Sequence, residues 1–193
     1  MILCDSQIVA AIKDERIQIH PKPDTSQIQP ASLDVRLGSQ FRTFTRFRPG
    51  GGGWLLDPLK DDIPSGTVVD VADGCGFQLR SGQFALATTY ESIGLAADIV
   101  SRVEGCSSLG RLGLQIHVTA GFIDPGWPLA PITLELYNVS PIDLLLTPGM
   151  KIAQLSFHRM DRAADRPYGS ANLSSHYVNQ QGATPSRYGR VTG

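Results

Sequence analysis

The run Glu104-Gly105-Cys106-Ser107-Ser108-Leu109-Gly110-Arg111, followed by His117-Val118-Thr119-Ala120-Gly121-Phe122-Ile123-Asp124 and then Glu135, holds the most chemically capable side chains of this sequence. Hydroxyls and a guanidinium among glycines suit the oxygens of a phosphorylated ligand. A carboxylate on a rigid element suits proton transfer to and from water.

Two short segments must position these groups. In Leu114-Gln115-Ile116-His117-Val118-Thr119 apolar and polar residues alternate, which predicts a strand with Gln115, His117 and Thr119 on one face. In Ile132-Thr133-Leu134-Glu135-Leu136-Tyr137 the same alternation places Glu135 between a hydroxyl and an aromatic ring. By alternation alone Glu135 reads first as a solvent-facing strand residue. His117, as a lone histidine, reads more readily as structural than as reactive.

Further β-type runs, punctuated by Pro and Gly, span Ser32 to Leu37, Val68 to Val71, Phe84 to Thr89, Ile142 to Leu146 and Ile152 to Phe157. They predict an all-β barrel or sandwich. One short helix is expected through Ile8, Val9, Ala11 and Ile12, capped by Asp5 or Ser6. Gly50 to Gly53 lacks the Gly-Lys-Ser/Thr ending of a phosphate-binding P-loop and reads as a mobile loop.

At 193 residues and 41% apolar content, the chain is long enough to bury one core, and a single domain over 1–193 is expected. A net charge of -1 supplies no basic field for nucleic acid. No run is apolar enough to span a membrane or to serve as a leader, so a soluble, unprocessed, cytoplasmic protein is expected. Cys4, Cys75 and Cys106 are odd in number and lack C-x-x-C spacing, which argues against a disulfide framework or a zinc site. Cys4 and Cys75 read as small buried hydrophobes. From Tyr168 to Gly193 the chain is polar, and Asn179-Gln180-Gln181-Gly182 suits a flexible flap (168–193) that orders over a polar ligand.

Taken together, Gln29-Pro30-Ala31-Ser32-Leu33-Asp34-Val35-Arg36-Leu37-Gly38, the 105–111 and 117–126 segments, Thr133-Leu134-Glu135, Pro148-Gly149-Met150-Lys151-Ile152, Arg166-Pro167-Tyr168 and Asn179-Gln180-Gln181-Gly182 resemble the dCTP deaminase family, which belongs with the trimeric dUTPases. The resemblance implies a distorted dUTPase-like β-barrel with a short N-terminal helix, a homotrimer with sites between subunits, and zinc-independent hydrolytic deamination of dCTP at cytosine C4. Consistent with that, the H-x-E and P-C-x-x-C elements of zinc deaminases are absent.

The resemblance also implies roles. Glu135 is the base and proton shuttle, and Ser107 and Arg111 stabilise the reacting centre. Cys106, Ser108, Leu109 and Gly110 fall at phosphate-contacting positions, and Asp124 beside the 3′-hydroxyl. Thr133 and Leu134 read the cytosine edge, while Gln154, Tyr168, His176 and Gln180 complete substrate binding. Magnesium arrives on the triphosphate, with no metal site in the protein.

Gly121-Phe122 and Gln154 resemble the pattern of members that carry dCTP through to dUMP and pyrophosphate, which is the expected activity. Alternatives left open are release of dUTP only, a dUTPase without deamination, and a non-catalytic nucleotide-binding trimer. The chain departs from the family at Cys106, where Lys or Arg is usual, and at His176, where Lys is usual. Trp127-Pro128-Leu129-Ala130-Pro131 forms a loop one residue longer than usual before the catalytic strand.

Overall fold

The computed structural model describes residues 1–44 and 56–188, so the Gly50 to Gly53 run lies outside the described residues. Helix α1 (Asp5–Lys13) is capped by Cys4, one residue earlier than expected, because the Gln7 side chain returns to the Cys4 backbone amide at 3.1 Å. Its Ile8 and Ala11 are buried on one face, as helical spacing requires.

Strands β1 (Ile17–His20), β2 (Ile28–Gln29), β3 (Ser32–Thr43), β4 (Thr67–Asp70), β5 (Phe77–Leu79), β6 (Phe84–Leu95) and β7 (Ile99–Gly105) lead to the short helix α2 (Ser107–Gly110). After it come β8 (Leu114–Gln115), β9 (Phe122–Ile123), β10 (Ala130–Asn138), β11 (Leu144–Leu146) and β12 (Lys151–Arg159). The main sheet runs β8-β10-β6-β3-β12-β7-β9, with β1 added on β6 and both β2 and β4 added on β3, while β5 and β11 pair separately. All pairings are antiparallel.

The sheet curls through breaks in register, at Leu37/Phe41 between β3 and β6 and at Pro131/Thr133 between β10 and β6. Its concave side encloses Leu33, Leu37, Phe41, Leu134, Leu136, Ile152 and Phe157, all essentially inaccessible to water. Each such side chain contributes roughly 1.5–3 kcal/mol of burial, and Phe41 also stacks on Phe77 with centroids 4.2 Å apart.

The Ser32-to-Leu37 motif is held by a buried ion pair. Glu91 on β6 is fully buried and accepts the Arg36 backbone amide at 2.8 Å, Arg36 Nε at 2.7 Å and Gln27 Nε2 at 3.1 Å. One carboxylate thus ties β6, β3 and the turn before β2 into a single frame, its charge compensated by three donors.

Several expectations change. The strand predicted over Leu114 to Thr119 ends at Gln115, and Val118 is half exposed, because the following backbone turns to meet Glu135. Cys4 and Cys75 are exposed, and Cys106 is half-buried. In the 168–188 segment, read as a flap, Gln180, Ala183 and Thr184 are buried. Among the described residues, no helix is long and apolar enough to cross a membrane.

Candidate active site

Alternation in β10 survives folding: Ile132, Leu134 and Leu136 point into the core, while Thr133, Glu135 and Tyr137 are half-buried on the other face. The Glu135 carboxylate is fixed from outside its own strand. Its Oε2 accepts the backbone amides of Val118 at 2.8 Å and Thr119 at 3.2 Å. Both donors go to one oxygen, which leaves Oε1 without a backbone amide.

Glu135 lies on the wall of a cavity of about 590 Å³, with Thr133, Phe122, Asp124, Trp127, Tyr168, Tyr177 and Gln180. Asp124 stays largely open to solvent on the cavity wall, and the partial desolvation it meets there pushes its carboxyl above the ordinary aspartate value. Tyr168 is raised chiefly by burial too, with the nearby Asp124 charge acting in the same direction and the Tyr177 amide opposing. Its ring tilts against Trp127 at 4.8 Å and its hydroxyl accepts the Tyr177 amide at 2.8 Å. Gln180 closes the cavity by donating Nε2 to the Pro131 carbonyl at 2.7 Å.

A second polar cluster lies away from this cavity. Ser107, Ser108, Gly110 and Arg111 are exposed at α2, Cys106 and Leu109 are half-buried beside them, and none of these lines the cavity. Gln154 on β12 pairs with Glu104 on β7, next to the strand end that leads into Cys106, and its Oε1 accepts the Ser32 hydroxyl at 3.0 Å. The chain therefore carries a cavity with a carboxylate and, separately, a hydroxyl–guanidinium loop. Among the described residues, no group of three or more His, Cys, Asp or Glu side chains gathers to hold a metal ion.

A family model described as dCTP deaminase-like matches residues 2–160. The chain belongs to the dCTP deaminase-like family. Similar members of the family are named dCTP deaminase, dUMP-forming: one from Beutenbergia cavernae is 44% identical over 97% of this chain and 94% of the relative. Another, from Rhodococcus opacus, is 46% identical over 97% of this chain and 96% of the relative. Among solved structures, the 2′-deoxycytidine 5′-triphosphate deaminase from Agrobacterium tumefaciens matches with a TM-score of 0.61 at 23% identity, covering 82% of this chain and 47% of that chain. At that identity the likeness is one of fold, and it agrees with the mostly-β curled barrel.

Against the family expectations, Glu135, Asp124, Thr133, Phe122, Tyr168 and Gln180 come together at one cavity. Leu134 does not line it, being a core residue on the opposite face of β10. Nor does the His176 ring line it, although the His176 carbonyl accepts Arg187 Nη1 at 2.9 Å. Gly121 is buried behind the wall, where an added Cβ would lie 3.0 Å from the Val103 carbonyl oxygen and 3.3 Å from His117 Cε1. A side chain at 121 would therefore press on the Val103 carbonyl and the His117 ring. Phe44, Ile63 and Phe84 also line the cavity, and sequence reasoning missed them because no local pattern joins such distant segments.

Proposed function

We propose that this chain hydrolyses dCTP to dUMP, first replacing the cytosine amine by oxygen and then releasing pyrophosphate in the same site. The observation that carries the reading is Glu135, anchored through Oε2 by two backbone amides on the wall of a nucleotide-sized cavity. The 44–46% identity to relatives named as dUMP-forming dCTP deaminases supports it over nearly the full length.

Water is the nucleophile. Glu135 Oε1 takes one proton from water as the oxygen bonds to C4 and passes it to ring N3; it then takes the proton of the new C4 hydroxyl and passes it to the amine, which departs as ammonia as the C4 carbonyl forms. Fixed donors aimed at C4 are needed for the tetrahedral centre. Ser107 and Arg111 fill that role from a neighbouring subunit, since within one subunit they stand apart from the Glu135 cavity. Ser108, Leu109 and Gly110, with Cys106, carry the phosphates on the same loop.

Asp124 accepts the 3′-hydroxyl, Thr133 and the Leu134 main chain read the base edge, and Tyr168 and Gln180 close over the nucleotide. The assembly is a homotrimer, as the resemblance to the trimeric dUTPases implies, a closed ring in which each loop meets the next subunit's cavity. Magnesium enters on the triphosphate. Hydrolysis of dUTP then requires water at the α-phosphorus with pyrophosphate leaving, and Phe122 and Gln154 are the residues assigned to that step.

Offering dCTP, dCMP and dUTP separately with magnesium, and resolving the products, tests this reading. Ammonia, dUMP and pyrophosphate are expected from dCTP. Accumulated dUTP limits the chain to deamination, and no ammonia from any cytosine nucleotide overturns the reading.

A further inference from the structure

We infer that Arg42 and Gln40, neither of which touches the cavity, are positioning residues that latch segment 180–184 closed and so set nucleotide affinity; this rests on the nucleotide reading of the cavity above. Two residues apart on β3, their side chains leave the same face of the strand. Arg42 Nε donates to the Ala183 carbonyl at 2.5 Å and Nη1 donates to the Ser65 carbonyl at 2.6 Å. One guanidinium therefore joins two separate stretches of chain. Both bear on the cavity, since Ile63 and Pro64 line it just before Ser65, and Gln180 and Thr184 line it on either side of Ala183.

Gln40 completes the grip. Its Oε1 accepts the Ala183 amide at 3.0 Å, while its Nε2 is held by Asp70 Oδ1 at 3.1 Å. Gly182 permits this approach: its φ is +60°, and an added Cβ would lie 1.9 Å from Gln40 Oε1. A side chain at 182 must therefore expel Gln40 from its bond and strain the backbone as well. Ala183 and Thr184 are buried beneath the latch. Three residues before Ala183, Gln180 reaches the Pro131 carbonyl at 2.7 Å and the Thr133 hydroxyl at 3.5 Å, beside Glu135.

The energetic consequence concerns pre-organisation. A segment already held against the cavity loses little freedom when nucleotide arrives, whereas a released segment must be ordered at the expense of affinity. A charged donor to two carbonyls makes the stronger type of hydrogen bond, so its loss corresponds to about tenfold or more in binding. The chemical step, which depends on Glu135, is left untouched once nucleotide is bound.

The test uses the full chain with Arg42→Met, Arg42→Lys and Gly182→Ala, measuring KM and kcat for dCTP together with hydrogen exchange of residues 180–184 without nucleotide. Arg42→Met is expected to raise KM about tenfold while kcat stays within about twofold, and to speed exchange across 180–184. Arg42→Lys should recover part of the KM, because it restores one charged donor. Gly182→Ala should reproduce the KM and exchange changes from outside the barrel, and it decides the matter alone if Arg42→Met fails to fold. Unchanged exchange, or a loss of kcat without a rise in KM, overturns the latch. If the unaltered chain does not consume dCTP, the functional reading fails, and exchange still tests the latch by itself.

Discussion

The Glu135 carboxylate is held by the backbone amide of Val118 at 2.8 Å, two residues beyond the Ile116 carbonyl that accepts the Glu135 amide at 3.1 Å. This bond fixes the orientation of a side chain that β10 alone would leave free to change rotamer. It also explains why the chain leaves strand geometry after Gln115: the amides of Val118 and Thr119 are spent on a carboxylate instead of on a neighbouring strand.

Partial desolvation at the cavity wall raises the Asp124 pKa above the ordinary value, so the folded chain holds that proton more tightly than the unfolded chain. Ionised Asp124 consequently lowers stability once pH rises above the unfolded value near 3.9, with the full penalty above the raised folded value and none below about 3.9. Asp124→Asn is expected to melt higher than the parent at neutral pH, the difference closing as pH falls towards 4. Melting curves across that range check it, and the same substitution should raise KM for dCTP. A difference that persists at low pH would contradict the desolvation account.

By the family resemblance, Cys106 stands where a cation for phosphate is expected. Cys106→Lys is expected to lower KM for dCTP about tenfold, the effect of one charge-assisted phosphate contact, and to make binding more salt-sensitive. Titrations at two salt concentrations read both changes.

Placing Ser107 and Arg111 in a neighbour's site has a consequence for mixtures. Glu135→Gln and Arg111→Ala chains, each inactive alone, should regain about a quarter of full activity when unfolded and refolded together in equal amounts. That is the statistical share of interfaces pairing an intact glutamate with an intact arginine in a ring. A mixture as inactive as its parts would place both groups in one subunit.

Glu91 is fully buried and answers three donors. Glu91→Ala leaves the Arg36 guanidinium and two further donors without their acceptor, a loss of about 3 kcal/mol or more. Urea unfolding should show the midpoint falling accordingly.

Much of this was legible locally. Alternation in Ile132 to Tyr137 placed Glu135 correctly between Thr133 and Tyr137, because one face of β10 is core and the strand period is two. The same rule failed over Leu114 to Thr119, where a glutamate distant in sequence outcompetes the ladder for the backbone amides. Strand β7 escaped notice because its apolar positions are interrupted by Ser101, Arg102 and Glu104. The walls contributed by Phe44, Ile63 and Phe84, and the contact of Arg42 with Ala183, depend on long-range packing that no window of sequence records.

The role of Glu135 is tested most directly by ammonia release from dCTP under single-turnover conditions, comparing Glu135→Gln with the parent chain. The glutamine keeps a carbonyl oxygen for the Val118 and Thr119 amides but takes no proton from water. Ammonia release is expected to fall by about a thousandfold, within the range for loss of a general base, with nucleotide binding and thermal midpoint close to those of the parent. Release of ammonia at the parent rate would contradict the assignment.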